Sequence, residues 1–167
     1  VTADADGRTV MLTADVYDWD GQLVVLDGLS VLGPDGVEEA TWSLADHARG
    51  AVPPDDLQRG FWFDEFPGAG DWSHGNAVTV TPDGDLLMSL RWWNAVYRIA
   101  GPAAPDFGTV RWVLAGPAAP FASDLELRSE TGDDPAFTAQ HHPLLHPDGT
   151  LTLFDNGAPS VPSRVLR

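Results

Sequence analysis

The chain is 167 residues long and 43% hydrophobic, enough for a single domain with a buried core. Its 25 acidic against 9 basic residues give a formal charge of −16, which repels a phosphate backbone or an anionic lipid surface over most of the molecule and argues against nucleic acid as a partner. No apolar run reaches the roughly 18 residues needed to cross a bilayer, and there is no cysteine, which fits either a reducing compartment or an exported protein without disulfides.

The N-terminus, "VTADADGRTV", has neither a basic start nor an apolar signal core. It does carry the first of five Asp-Gly pairs, in "DADGR", "DWDGQ", "GPDGV", "TPDGD" and "HPDGT", each supplying the left-handed glycine that a tight strand-to-strand turn needs. Between them run short stretches rich in Val, Leu and Trp, without helical periodicity. The expected fold class is all-β.

Three of the turns belong to a longer repeat, "ADADGRTVMLTADVYD", "VTPDGDLLMSLRWWNAVYRIAG" and "LHPDGTLTLFDNGAPSVPSRVLR". After the hairpin comes a third strand ("QLVVLDGLSVL", "NAVYRIAG") and then a fourth carrying Trp ("VEEATWSL", "GTVRWVLAG"). Four-stranded meanders in series are the pattern of β-propeller blades. Residues 1–47 read as the end of one blade, 71–116 as a full blade and 137–167 as the start of the next. The expectation is one partial propeller domain, because a closed ring needs at least about four blades. Segments 48–70 and 117–136, rich in Gly, Pro and acids, read as insertions long enough to form a rim or lid over a site.

The chemistry-bearing residues gather just before apolar strands. In "DWSHGN", strand alternation sets His74 and Asn76 on one face. Across the Pro82-Asp83-Gly84 turn, a register with one bulged residue sets Arg91 opposite Asn76, and a register without it sets Leu90 there. The bulged register gathers His74, Asn76 and Arg91. The same spacing, counted from Asp83 to Asp148, carries Asn76 onto His141 and Arg91 onto Asn156, giving a second cluster of Gln140, His141, Asp155 and Asn156. Imidazole, guanidinium and amide around one channel make an anion site with a possible nucleophile, since a neutral imidazole attacks and an Arg fork grips oxyanions.

His141 and His142 must face opposite ways on a regular strand; His141 is favoured for the site because it matches Asn76. His146 reads as an exposed loop residue beside its turn, and His47 lies in an acidic loop with no evident partner. Most of the tryptophans read as wedges between sheets, with one or two near Arg91 able to stack on an aromatic ligand. No metal site is expected: the Asp-rich turns lack calcium-loop spacing and no zinc pattern occurs.

"DWSHGNAVTVTPDGDLLMSLRWWNAVYRIAG", followed by "VRWVLAG", "QHHPLLHPDGTLTLFDNG" and "SRVLR", resembles the arylsulfotransferase family. Those enzymes are six-bladed propellers that move a sulfuryl group from an aryl sulfate to a phenol without the nucleotide donor PAPS. The likeness covers roughly Asp71 to Arg167 and is sharpest at Asp-Trp-x-His-x-Asn, Ser-Leu-Arg and Gln-His with a downstream Phe-Asp-Asn-Gly. It implies that His141 is the nucleophile, that His74 and Arg91 act with it, and that Asn76, Asn156 and Gln140 contribute to substrate binding. It further implies no cofactor, small-molecule aryl sulfate and phenol as partners, and an exported location. The family's His-His-Asp stretch is expected upstream of Val1, outside this sequence. "WWN" after Arg91 replaces a more polar run. Two other readings share this architecture: a non-catalytic propeller binding module, and a calcium-supported hydrolase or lactonase.

Overall fold

The computed structural model describes residues 1–55, 57, 62, 64–130, 132, 134–157 and 161–167. The remaining positions within the expected insertions 48–70 and 117–136, and within the "GAPSVP" stretch, lie outside the described residues. Among the described residues twelve strands form three sheets, antiparallel but for one short strand, as the sequence pattern leads one to expect for consecutive blades of a propeller.

The first sheet is the meander β1 (Thr2–Ala3), β2 (Thr9–Trp19), β3 (Gln22–Leu32) and β4 (Glu38–Ser43). A short 3-10 helix, Leu44–His47, follows it. The middle sheet runs β6 (Gly75–Val80), β7 (Leu86–Leu90), β8 (Ala95–Ile99), β9 (Val110–Ala115) in order, and the third runs β10 (His141–Leu145), β11 (Leu151–Asp155), β12 (Arg164–Leu166). Before the middle sheet, β5 (Gly70–Asp71) joins the first sheet instead, pairing parallel to β3 through Val24–Gly70 and Val25–Asp71. Among the described residues no helix is long and apolar enough to cross a membrane.

All five Asp-Gly pairs turn the chain. Gly7, Gly21, Gly36, Gly84 and Gly149 take φ values of 81°, 88°, 80°, 87° and 85°, a region that side chains avoid. At Asp20-Gly21 both residues are left-handed, with Asp20 at φ 53°, and Trp19 pairs with Gln22 across them. That is the two-residue turn matching the strands' own twist.

The middle sheet is buried on both faces, which explains why its strands read as continuous apolar runs rather than alternating ones. Leu86, Met88, Leu90, Ala95, Tyr97, Ile99 and Val113 pack with Val24, Leu26, Leu29 and Val31 of the first sheet. Their neighbours in sequence, Leu87, Val96 and Leu114, pack with Phe137 and Leu153 of the third. Period-two alternation thus directs one residue to each neighbouring sheet. Each fully buried side chain contributes about 1.5–3 kcal/mol. Edges of Trp19, Trp72, Trp93 and Phe121 meet face to edge in series, with centroids 5.1, 5.1 and 5.4 Å apart. The wedge role expected of the tryptophans is met by Trp42, Trp72 and Trp93, all buried, whereas Trp92 is 40% exposed.

Polar bonds also tie the middle and third sheets. Thr79 Oγ1 donates to the Pro143 carbonyl at 2.6 Å, and the Ala139 amide donates to Asn94 Oδ1 at 2.7 Å. Strand β6 lies against β2 on one side and β10 on the other. The Asp83-Gly84 and Asp148-Gly149 turns occupy one end of these sheets. The start of β6, the end of β7, the start of β10 and the end of β11 therefore share the opposite end, and the candidate site lies there.

Candidate functional site

The segment leading into β6 is shaped by its neighbour before it joins its own sheet. Gly70 and Asp71 pair with β3, and the Trp72 amide donates to the Val25 carbonyl at 3.2 Å. Then His74 adopts φ 50°, a left-handed turn uncommon for a residue with a side chain. Its repeat-equivalent, Ala139, adopts φ 51°, so the backbone device recurs although the side chain does not.

The register differs from the one expected. Gly75 pairs with Leu90 and Ala77 with Ser89, so the extra residue is Asn76 itself, on β6. A bulge on this strand moves its partner the other way: the Arg91 amide donates to the His74 carbonyl at 2.9 Å, placing Arg91 opposite His74 rather than Asn76. The left-handed residue and the bulge together break strict alternation. His74 and Asn76 consequently reach different partners.

His74 Nδ1 lies 2.6 Å from Asp71 Oδ2, and the same oxygen accepts from Trp92 Nε1 at 3.2 Å. The Asp71 side chain is buried. A carboxylate there orients the imidazole through Nδ1. The ring centroids of His74 and Trp92 are 5.4 Å apart, and Arg91 Cζ lies 5.1 Å over the Trp92 ring. Guanidinium, indole and imidazole are therefore grouped at one sheet end, with the His74 ring tilted by 55° to that of Trp92.

His141, at the start of β10, is partly buried. Its pKa is lowered, first by burial and then by the charges of His142, Arg91 and His74. All act in one direction, since each disfavours adding a proton. The arrangement keeps His141 a neutral imidazole at neutral pH. The strand is not regular at the paired histidines: the register slips between His141 and Leu144, and the exposed His142 takes φ 51°.

The carbonyls just before His141 are both gripped. Asn76 Nδ2 donates to the Gln140 carbonyl at 2.7 Å, and Asn156 Nδ2 donates to the Ala139 carbonyl. The two asparagines thus support the strand that carries His141. Gln140 is fully buried, its Nε2 donating to Ser89 Oγ, the Leu90 carbonyl and the Ala95 carbonyl at 3.0, 3.1 and 2.9 Å. That amide clamps the third sheet to the middle one and is the expected binding residue most removed from the open side of the site. Asp155 is likewise buried and engaged by Arg164 Nε at 3.0 Å and by the Thr138 amide at 2.8 Å.

Arginine charge supplies the sharpest contrast. All nine basic residues are arginines. Arg8, Arg49, Arg98, Arg111, Arg128, Arg164 and Arg167 each hold a carboxylate. Among the described residues Arg91 alone has no such partner, in a molecule of charge −16. Two buried oxygens nearby, Asp71 Oδ1 and Asn76 Oδ1, also lack a partner within the described residues.

Beside this cluster lies a cavity of about 480 Å³ lined by Asp71, Trp72, Trp92 and Trp93, with Val52, Pro54, Leu57, Ala118 and Pro120 from the two insertions. The other histidines lie elsewhere. His47 stacks flat on Trp42 with centroids 4.8 Å apart, and burial lowers its pKa. His146 Nε2 lies 2.9 Å from Thr152 Oγ1 at the opposite end of the third sheet.

Sequence reasoning passed over two carboxylates. Asp71 was visible in "DWSHGN" without a role. Asp27 interrupts the apolar run "LVVLDGLSVL" and is only 2% exposed. A charged residue inside an otherwise buried strand was the available signal.

Consecutive four-stranded antiparallel sheets with Arg91, His74 and His141 gathered at one end define a β-propeller-type protein. The arylsulfotransferase (ASST) family model matches residues 2–164, nearly the whole chain, and the chain belongs to that family. The match extends over the first seventy residues, where the sequence offers only a blade pattern. A search of curated proteins finds no match.

Proposed function

We propose that the chain catalyses sulfuryl transfer from an aryl sulfate to a phenolic acceptor through a covalent adduct on His141. Family membership supports a sulfotransferase of the aryl type. The observation that carries the finer reading is Arg91. Among the described residues it is a cation without a carboxylate partner, close enough to His141 to lower the pKa of that imidazole.

In the first half-reaction, Arg91 binds the ester's sulfate oxygens by a charge-assisted fork and offers the same donors to the charge that develops as the S–O bond weakens. A lone pair of the His141 ring forms the N–S bond while the aryl oxide departs with the S–O bonding pair. In the second, the acceptor hydroxyl gives its proton to a base, its oxygen forms a new S–O bond, and the N–S pair returns to His141. His74, oriented by Asp71, is the base that this arrangement favours. Trp92, exposed and adjacent to Arg91, offers a face to the aryl ring. The scheme uses no nucleotide donor and no metal.

The test is mass spectrometry of the protein after brief mixing with 4-nitrophenyl sulfate alone, without nucleotide. A sulfuryl group on the His141 peptide, absent from His141→Ala, is expected. Turnover of the aryl sulfate with an unmodified His141 peptide removes His141 from the nucleophile's role.

A further inference from the structure

His74 holds a left-handed backbone at φ 50°, and such a conformation persists only where its surroundings over-determine it. The residues on either side of it supply the reason. The Ser73 hydroxyl donates to Asp27 Oδ2 and accepts from the Asp27 amide at 3.1 Å. The Gly75 amide donates to that same carboxylate oxygen at 2.6 Å. Thus one side chain of the first sheet grips the chain immediately before and immediately after His74.

The fit is close enough to dictate sequence. A Cβ on Gly75 would lie 2.8 Å from Asp27 Oδ1 and 2.9 Å from its Cγ, so no larger residue enters without displacing the carboxylate. Asp27 stands among Val24, Val25, Leu26, Leu29 and Val31, none more than 1% exposed. A lone carboxylate is an expensive residue at such a depth, and packing alone would be served by another aliphatic. Asp71, the second buried carboxylate, acts on the imidazole itself.

We propose that Asp27 is a positioning residue for the reaction: from the preceding sheet it fixes the backbone on both sides of His74, so that the imidazole directed by Asp71 stays aligned with Arg91 and His141. Asp27 touches none of the reacting atoms. The assignment rests on the sulfuryl-transfer reading above.

The experiment compares the full chain with Asp27→Asn and Gly75→Ala, using 4-nitrophenyl sulfate with a phenol acceptor and ¹⁵N-histidine NMR. Asn keeps the size of Asp but presents one acceptor oxygen and one donor. Both variants are expected to fold, to lose roughly 10- to 100-fold in kcat with little change in KM, and to lose or shift the His74 Nδ1–H resonance that reports its bond to Asp71. A folded Asp27→Asn with wild-type kcat and an unchanged His74 resonance overturns the proposal. Should Asp27→Asn not fold, Ser73→Ala, which keeps the Gly75 bond, takes its place: a several-fold loss of kcat with an altered resonance supports the assignment, and wild-type values of both overturn it. The two readings fail differently. A wild-type chain that forms no sulfuryl adduct ends the sulfuryl-transfer reading, while the His74 resonance still decides whether Asp27 places that ring.

Discussion

Replacing Asp27 with Asn should also change how stability depends on pH, by an amount the structure fixes. Burial raises the Asp27 carboxyl to about 6 from an ordinary 3.8, against the lowering pull of its bonds from Ser73 and Gly75; Asp71 adds to the rise and His74 opposes it. A carboxyl held more protonated in the folded than in the unfolded chain contributes stability that is complete below pH 3.8 and is lost as pH climbs through about 6. The shift of about two units corresponds to about 3 kcal/mol over the whole range, of which about 2 kcal/mol falls between pH 4 and pH 7. Asn stays neutral throughout, so its stability relative to wild type should improve by about 2 kcal/mol between those two pH values. Urea denaturation of both proteins at each pH measures this, because titrating groups not coupled to Asp27 cancel in the difference of differences. A gap that stays constant to within about 0.5 kcal/mol would mean that Asp27 keeps an ordinary carboxyl, and the cost assigned to its burial would be wrong.

Arg91→Lys keeps the charge but replaces a two-pronged donor with a point charge; kcat/KM for 4-nitrophenyl sulfate should fall roughly 10- to 100-fold, with circular dichroism unchanged. Gln140→Ala removes three hydrogen bonds at a fully buried position between two sheets and leaves the Leu90 and Ala95 carbonyls without that donor. It should destabilise the chain by at least about 2 kcal/mol in urea denaturation, and a loss of activity without a loss of stability would assign Gln140 to substrate instead.

Much of the fold was legible because turns and strands are local. Five Asp-Gly pairs set the turns, since only glycine tolerates those φ values cheaply, and short apolar stretches between them announced the strands. The repeat spacing singled out His141, and the structure brings His74 and Arg91 near enough to lower the pKa of that imidazole. What the spacing could not supply was the side of the bulge. The extra residue is Asn76 on β6 rather than one on β7, and this exchanged the neighbour of Arg91 from Asn76 to His74.

The division follows from how each feature is specified. Chain order alone determined the strand order, the turn chemistry and the residue types available at the sheet ends, because each depends on residues a few positions apart. Tertiary structure decided which of those polar groups face one another and which are held by backbone. Asp27 reaches Ser73 and Gly75 from 46 and 48 residues away, Asn76 and Asn156 turn to the carbonyls before His141, and Arg91 has no carboxylate partner among the described residues. Such long-range pairings depend on how neighbouring sheets meet, and a difference of one residue in register redirects a side chain to another partner.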